Sequence, residues 1–195
     1  MRRIGIFSLI VFVLLSILLV TNNIIWFDNT IYNTIINQND FLTIILKNIT
    51  ELGDFIILIS ISLLLLLVCK QKKIGILVCL NLALSFVINE IFKIIFIRPR
   101  PIDNILISVN GYSFPSGHSM VSMSFYGLLI YLCYKNINNK IIKWLLIIFQ
   151  VIIILIIGYS RIYLGAHFPS DVIAGFSLGL FYLILYINLV IKRVN

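Results

Sequence analysis

Eight residues in three short stretches have the types and spacing for work on an anion. The first stretch runs Lys93-Ile-Ile-Phe-Ile-Arg98-Pro99-Arg100-Pro101 and the second Phe114-Pro115-Ser116-Gly117-His118-Ser119. The third holds Ser160-Arg161, then His167 after five residues and Asp171 after three more. His118 and His167 are the only histidines in the chain. Lys93, Arg100 and Arg161 can neutralise a phosphate dianion, and a planar guanidinium matches two phosphate oxygens at once. Pro115-Ser116-Gly117 before an apolar run reads as a helix start, where free N–H groups and the positive dipole end suit an anion. Gly117 permits close backbone approach, and Ser116 can cap the helix or bond a phosphate oxygen. If a helix begins near Pro169, His167 and Asp171 lie four apart on one face. The carboxylate can then fix the imidazole tautomer and leave its other nitrogen free to attack. His118 is available as a general acid for a leaving oxygen, because imidazole titrates near neutrality.

Each residue alone has a plainer explanation. A lone Lys or Arg at a helix end snorkels, a lone His is usually a bonded structural residue, and an Asp at a helix start is commonly a cap. What favours chemistry is their surroundings. Of the 195 residues, 61% are hydrophobic and only 11% charged, against about 25% charged in a soluble chain. Ionisable groups at membrane depth are costly and mark functional sites.

Six stretches approach the roughly 20 apolar residues that cross a bilayer: Ile4 to Val20, Phe55 to Cys69, Ile74 to Ile97, His118 to Tyr134, Trp144 to Tyr159 and Val172 to Ile191. The first follows Met1-Arg2-Arg3 but is longer than a signal-peptide core and has no small-residue cleavage site, so it reads as a retained helix. Ile31 to Ile49 mixes Asn, Gln, Thr, Asp and Lys with apolar residues and is predicted to lie along the interface. The expected fold is all-α: a six-transmembrane-helix bundle with an interfacial amphipathic helix between the first two spans, in one domain over residues 1–195. Cys69, Cys79 and Cys133 lie in or beside apolar segments without metal-ligand spacing and read as core residues.

The net charge of +8 forms no nucleic-acid patch. Arg2, Arg3, Lys70, Lys72, Lys73, Lys135, Lys140, Lys143, Lys192 and Arg193 fall at one set of helix ends, which the positive-inside rule makes cytoplasmic together with both termini. Lys47, Lys93, Arg98, Arg100 and Arg161 fall towards the other face, with the seven acids Asp28, Asp40, Glu51, Asp54, Glu90, Asp103 and Asp171. Hydropathy alone therefore gathers all three stretches at the outer face.

The pattern K-x6-R-P, P-S-G-H, S-R-x5-H-x3-D resembles the signature of the type 2 phosphatidic acid phosphatase superfamily, and every fixed position is met. The resemblance implies that His167 is a nucleophile forming a phosphohistidine. It implies that Asp171 orients His167, and that His118 protonates the departing oxygen and then assists water. Lys93, Arg100, Ser116, Gly117, His118 and Arg161 would bind the phosphate, with no metal or other cofactor. The short form is most similar to bacterial phosphatases of phosphatidylglycerophosphate and undecaprenyl diphosphate, which makes a lipid phosphate in the bilayer the expected partner. Outside the signature, Arg98 can touch a second phosphate or an anionic lipid, and Glu90 can hold Lys93. Lipid choice is expected to rest on Ile102 to Ser113, on Ile31 to Ile49 and on grooves between helices. Three other readings stand beside this one: phosphoryl transfer to a second lipid, a serine hydrolase built on Ser116, and an anion transporter.

Overall fold

In the computed structural model, residues 1–35, 39–68, 71–102 and 105–191 are described; Cys69, Lys70, Asp103, Lys192 and Arg193 lie outside them. The chain is helical: α1 (Arg2–Val20), α2 (Ile25–Ile35), α3 (Asp40–Thr50) with a 3₁₀ turn (Glu51–Gly53), α4 (Phe55–Val68), α5 (Lys72–Phe96), α6 (Gly117–Asn136), α7 (Lys140–Tyr163) and α8 (Pro169–Tyr186), which runs on through a π turn (Ile187–Ile191). The caps explain several boundaries. Asn39 accepts from Leu42 N–H ahead of α3, and Asn139 accepts from Ile141 and Ile142 N–H ahead of α7. Pro169 occupies the first turn of α8.

α6 and α8 form the centre of the bundle. α8 packs against α1, α2, α5, α6 and α7, while α6 packs also against α4, α5 and α7. The two run parallel at close quarters because Gly175 and Gly179 have no side chain. A Cβ at Gly175 would sit 2.6 Å from the Ser116 carbonyl oxygen, and one at Gly179 2.5 Å from that of Met120. This is the small-residue packing of membrane helices. Polarity is arranged to match: Asn81, Ser85, Asn89, Ser119, Ser122 and Ser124 are buried, while Leu145, Phe149, Leu155 and Ile94 are exposed.

By length and composition, four helices among the described residues can cross a membrane: Arg2–Val20, Lys72–Phe96, Lys140–Tyr163 and Pro169–Ile191. A fifth span results if Asp40–Gly53 and Phe55–Val68, bent by 51°, count as one. The expected fourth stretch is α6, whose serines, glycines and tyrosines dilute its hydropathy below that of its neighbours. Ile31 to Ile49 is not one element. It opens in α2, which begins earlier at Ile25, and closes in α3, with residues 36–38 outside the described set. Cys79 and Cys133 are half-buried free thiols in α5 and α6, in keeping with a packing role.

Candidate active site

Lys93 ends α5, His118 opens α6, Arg161 ends α7 and His167 precedes α8, so the alternation of helices brings all four to one end of the bundle. There Lys93, Arg100, Gly117, His118, Arg161 and His167 line a single cavity of ≈ 260 Å³. Gly53, Asn89 and Val121 form part of its wall, and Phe55 and Phe86, with ring centroids 4.4 Å apart, form another. A second opening, lined by Lys47, Thr50, Glu51, Asp54 and Ser108, shares His118 and Arg161.

Lys93 Nζ lies 2.8 Å from Glu90 Oε1, one turn back, as the sequence suggested. A Cβ on Gly117 would fall 3.0 Å from Asn89 Oδ1 and 3.5 Å from Lys93 Nζ, so the glycine lets both groups lie against the first turn of α6. The N–H groups of Gly117 and His118 in that turn have no intrahelical acceptor. Arg161 is 4% exposed. Its Nη1 donates to Thr50 Oγ1 at 3.1 Å, while its buried Nε has no partner among the described residues. A buried guanidinium N–H left open in this way suits an incoming oxygen.

Arg100 pins the loop that carries it. Its Nε donates to the Gly111 carbonyl at 3.0 Å, Nη2 to that of Asn110 at 2.9 Å and Nη1 to that of Ala166 at 2.9 Å. Nη1 also lies 3.1 Å from His167 Nε2. On the other side of the ring, Nδ1 lies 3.7 Å from Asp171 Oδ2, too far for a hydrogen bond. Ser113 closes the gap: its Oγ is 3.2 Å from Nδ1 and donates to Asp171 Oδ2 at 2.5 Å. With the hydroxyl proton directed to the carboxylate, Nδ1 must carry the ring proton. Nε2 is then the acceptor that a neighbouring Arg100 N–H requires. Burial, reinforced by the charge of Arg100 and opposed by Asp171, pushes the pKa of His167 down from 6.5 to about 3. Burial likewise lowers that of Arg100. The ring is therefore neutral, with a lone pair at the cavity wall.

Three expectations change. His167 precedes the cap residue Phe168 rather than sharing a helical face with Asp171, which is why a third group is needed between them. Ser116 lies behind the cavity wall, fully buried, where its Oγ accepts from the Ser119 hydroxyl at 3.0 Å and caps α6. Arg98 borders a separate cavity with Tyr32 and Phe168, but its guanidinium is taken up by Asp28, Ser170 and Asp171 rather than offered to a second phosphate. Ser113, Asn89, Thr50 and Asp28 were missed. Only Ser113 had a signal, its position directly before the Phe114-Pro115-Ser116-Gly117-His118 run.

The sequence pattern of the PAP2 superfamily matches residues 74–195, which hold all eight residues. The chain belongs to the PAP2 superfamily. It is 32% identical over 190 residues to phosphatidylglycerophosphatase B of Bacillus subtilis, covering 93% of each chain. It is 29% identical over 153 residues to an undecaprenyl-diphosphatase of Sulfolobus acidocaldarius, covering 74% of this chain and 70% of that one. Its fold superposes on the crystal structure of the transmembrane PAP2-type phosphatidylglycerolphosphate phosphatase of Bacillus subtilis with a TM-score of 0.89 and 27% identity, over 98% of this chain and 97% of the other. Thr50, Gly53 and Asp28 reach the site from outside the span matched by the PAP2 pattern.

Proposed function

We propose that this PAP2 protein is a multi-pass membrane lipid phosphatase that hydrolyses a phosphate ester or diphosphate through a phosphohistidine at His167. The observation that supports this most directly is that two histidines and three cations, distant in sequence, line one cavity. Lys93, Arg100 and Arg161 hold the phosphate oxygens, joined by the N–H groups of Gly117 and His118 at the positive end of α6. As the Arg100 N–H beside it turns to a phosphate oxygen, His167 Nε2 attacks phosphorus, and the charge developing on the ring is balanced by Asp171 through Ser113. His118 gives a proton to the departing lipid oxygen. Water then attacks the phosphohistidine with His118 as base, releasing inorganic phosphate and restoring His167. No step calls for a metal.

α1, α4, α5, α6, α7 and α8 are the six spans of this reading, with α2 and α3 near the interface. The clustered Lys and Arg at the opposite helix ends support an outward-facing site. A phosphatidylglycerophosphate or undecaprenyl diphosphate head group fits that position, and the curated relatives act on these classes by name. Ser116, buried as a cap, is unsuited to be a serine nucleophile.

Purified protein in detergent, with a chelator present, should release phosphate from a panel of phosphatidate, phosphatidylglycerophosphate and undecaprenyl diphosphate. His167→Ala should abolish both turnover and the labelled phosphoenzyme. Full activity in that variant would refute the nucleophile, and activity lost to the chelator would refute the metal-free route. A labelled donor recovered on a second lipid instead of as phosphate would make the protein a phosphotransferase.

A further inference from the structure

Asp28 and Arg98 form a buried charge network that the reaction outlined above does not use. Arg98 directly follows α5, whose last turn closes on Ile97 in the left-handed region at φ 48°. A β-branched residue rarely adopts that conformation, and here it turns Arg98 inward. Nη1 of Arg98 reaches Asp171 Oδ1 at 2.5 Å and Ser170 Oγ at 2.8 Å, while Nη2 reaches Asp28 Oδ2 at 2.6 Å. Its guanidinium carbon stands 4.4 Å above the ring of Phe168. The Arg98 carbonyl accepts from Ser113 N–H at 2.9 Å, so one residue grips both the carboxylate and the serine behind the nucleophile. Asp28, 1% exposed on α2, also accepts from Ser170 N–H at 2.9 Å and from Ser170 Oγ at 2.7 Å.

Neither Asp28 nor Arg98 lines the cavity that holds the histidines. They act at one remove. Arg98 is shared between two carboxylates, so the cluster of Asp28, Arg98 and Asp171 keeps one net negative charge when all three are ionised. Oδ1 of Asp171 is fixed by Arg98, which leaves Oδ2 to Ser113 and to Phe168 N–H, its acceptor contact at 2.9 Å. If Asp28 lost its charge, Arg98 would fall to Asp171 alone and weaken its hold on the imidazole proton through Ser113.

We propose that Asp28, acting through Arg98, is a positioning residue that holds Asp171 in place and preserves its negative charge for His167. This rests on the reading of His167 as nucleophile. A plainer role for Asp28 is to cap α8 through Ser170, and the test separates the two.

Asp28→Asn keeps the shape and removes the charge. We expect kcat and the rate of phosphoenzyme formation to fall together by about 10–100-fold, the scale of a small misplacement at a reacting group. KM and the inhibition constant of inorganic phosphate should stay within about twofold, because the cations that hold the phosphate are untouched. A cap alone would lower the melting temperature and leave kcat per folded molecule unchanged, and that result overturns the inference. So does a parallel loss of kcat and phosphate affinity. If Asp28→Asn does not fold, Arg98→Lys carries the test: the charge remains, the fork spanning both carboxylates is lost, and the same kcat-only loss is expected. An inactive His167→Ala beside a fully active Asp28→Asn would sink this inference alone, whereas an active His167→Ala would sink the nucleophile itself.

Discussion

At the residue scale, His167, the proposed nucleophile, is set up by what surrounds it. Because His167 has its pKa lowered to about 3, it stays unprotonated well into the acid range and takes up a proton only as pH falls towards that value. The unfolded imidazole, by contrast, takes up a proton near 6.5, so this burial costs stability as pH falls from 6.5 towards 3. An acid limb in kcat/KM near pH 6 should therefore follow the second ionisation of the phosphate, which for a monoester lies at about 6. It should not move when groups around His167 are changed. A limb that shifted in Ser113→Ala would return that ionisation to the histidine. Ser113→Ala itself should reduce kcat by about 10–100-fold with KM little changed, since it breaks the bridge behind the ring and leaves the phosphate contacts intact. The ionisable members of the site were legible in the sequence because charge at membrane depth needs a reason. Ser113 was signalled only by its place directly before the Phe114-Pro115-Ser116-Gly117-His118 run, since a loop serine looks the same whether or not it joins a histidine to an aspartate.

At the element scale, α6 and α8 begin side by side, and Ser116 N–H bonds the Asp171 carbonyl at 3.0 Å, joining the two helix starts directly. Their approach depends on Gly175 and Gly179. Gly179→Val forces a side chain against the Met120 backbone, which can yield only by parting the helices, at a cost of about 1–3 kcal/mol. A lower melting temperature in detergent and loss of activity are expected, while Phe149→Leu on the exposed face of α7 should leave both unchanged. Equal behaviour of the two variants would show that the contact does not hold the site. Hydropathy made α1, α5, α7 and α8 readable because lipid demands long apolar runs. It blurred α2 and α3, whose polar residues face partly inward: Asp28 stood only as one of seven acids towards the outer face, and its partner stands 70 residues away.

At the scale of the whole molecule, apolar side chains cover the outside, while the buried polar residues sit within an interior that also holds Leu58, Phe114 and Phe125. Hydropathy could place the three signature stretches at one end of such a bundle. It could not show that the segment before α4 would supply Gly53 and Thr50 to the same place, because nothing in that segment shares the signature's chemistry. The cluster of Lys93, Arg100 and Arg161 also has a meaning for the resting protein. Like charges crowded into a small hollow, with only Glu90 paired to one of them by a salt bridge among the described residues, repel each other for as long as the hollow stays empty. The bundle must be rigid enough to keep that repulsion from opening it. An arriving oxyanion should relieve the tension, so the protein is expected to withstand heat better with inorganic phosphate bound than without it.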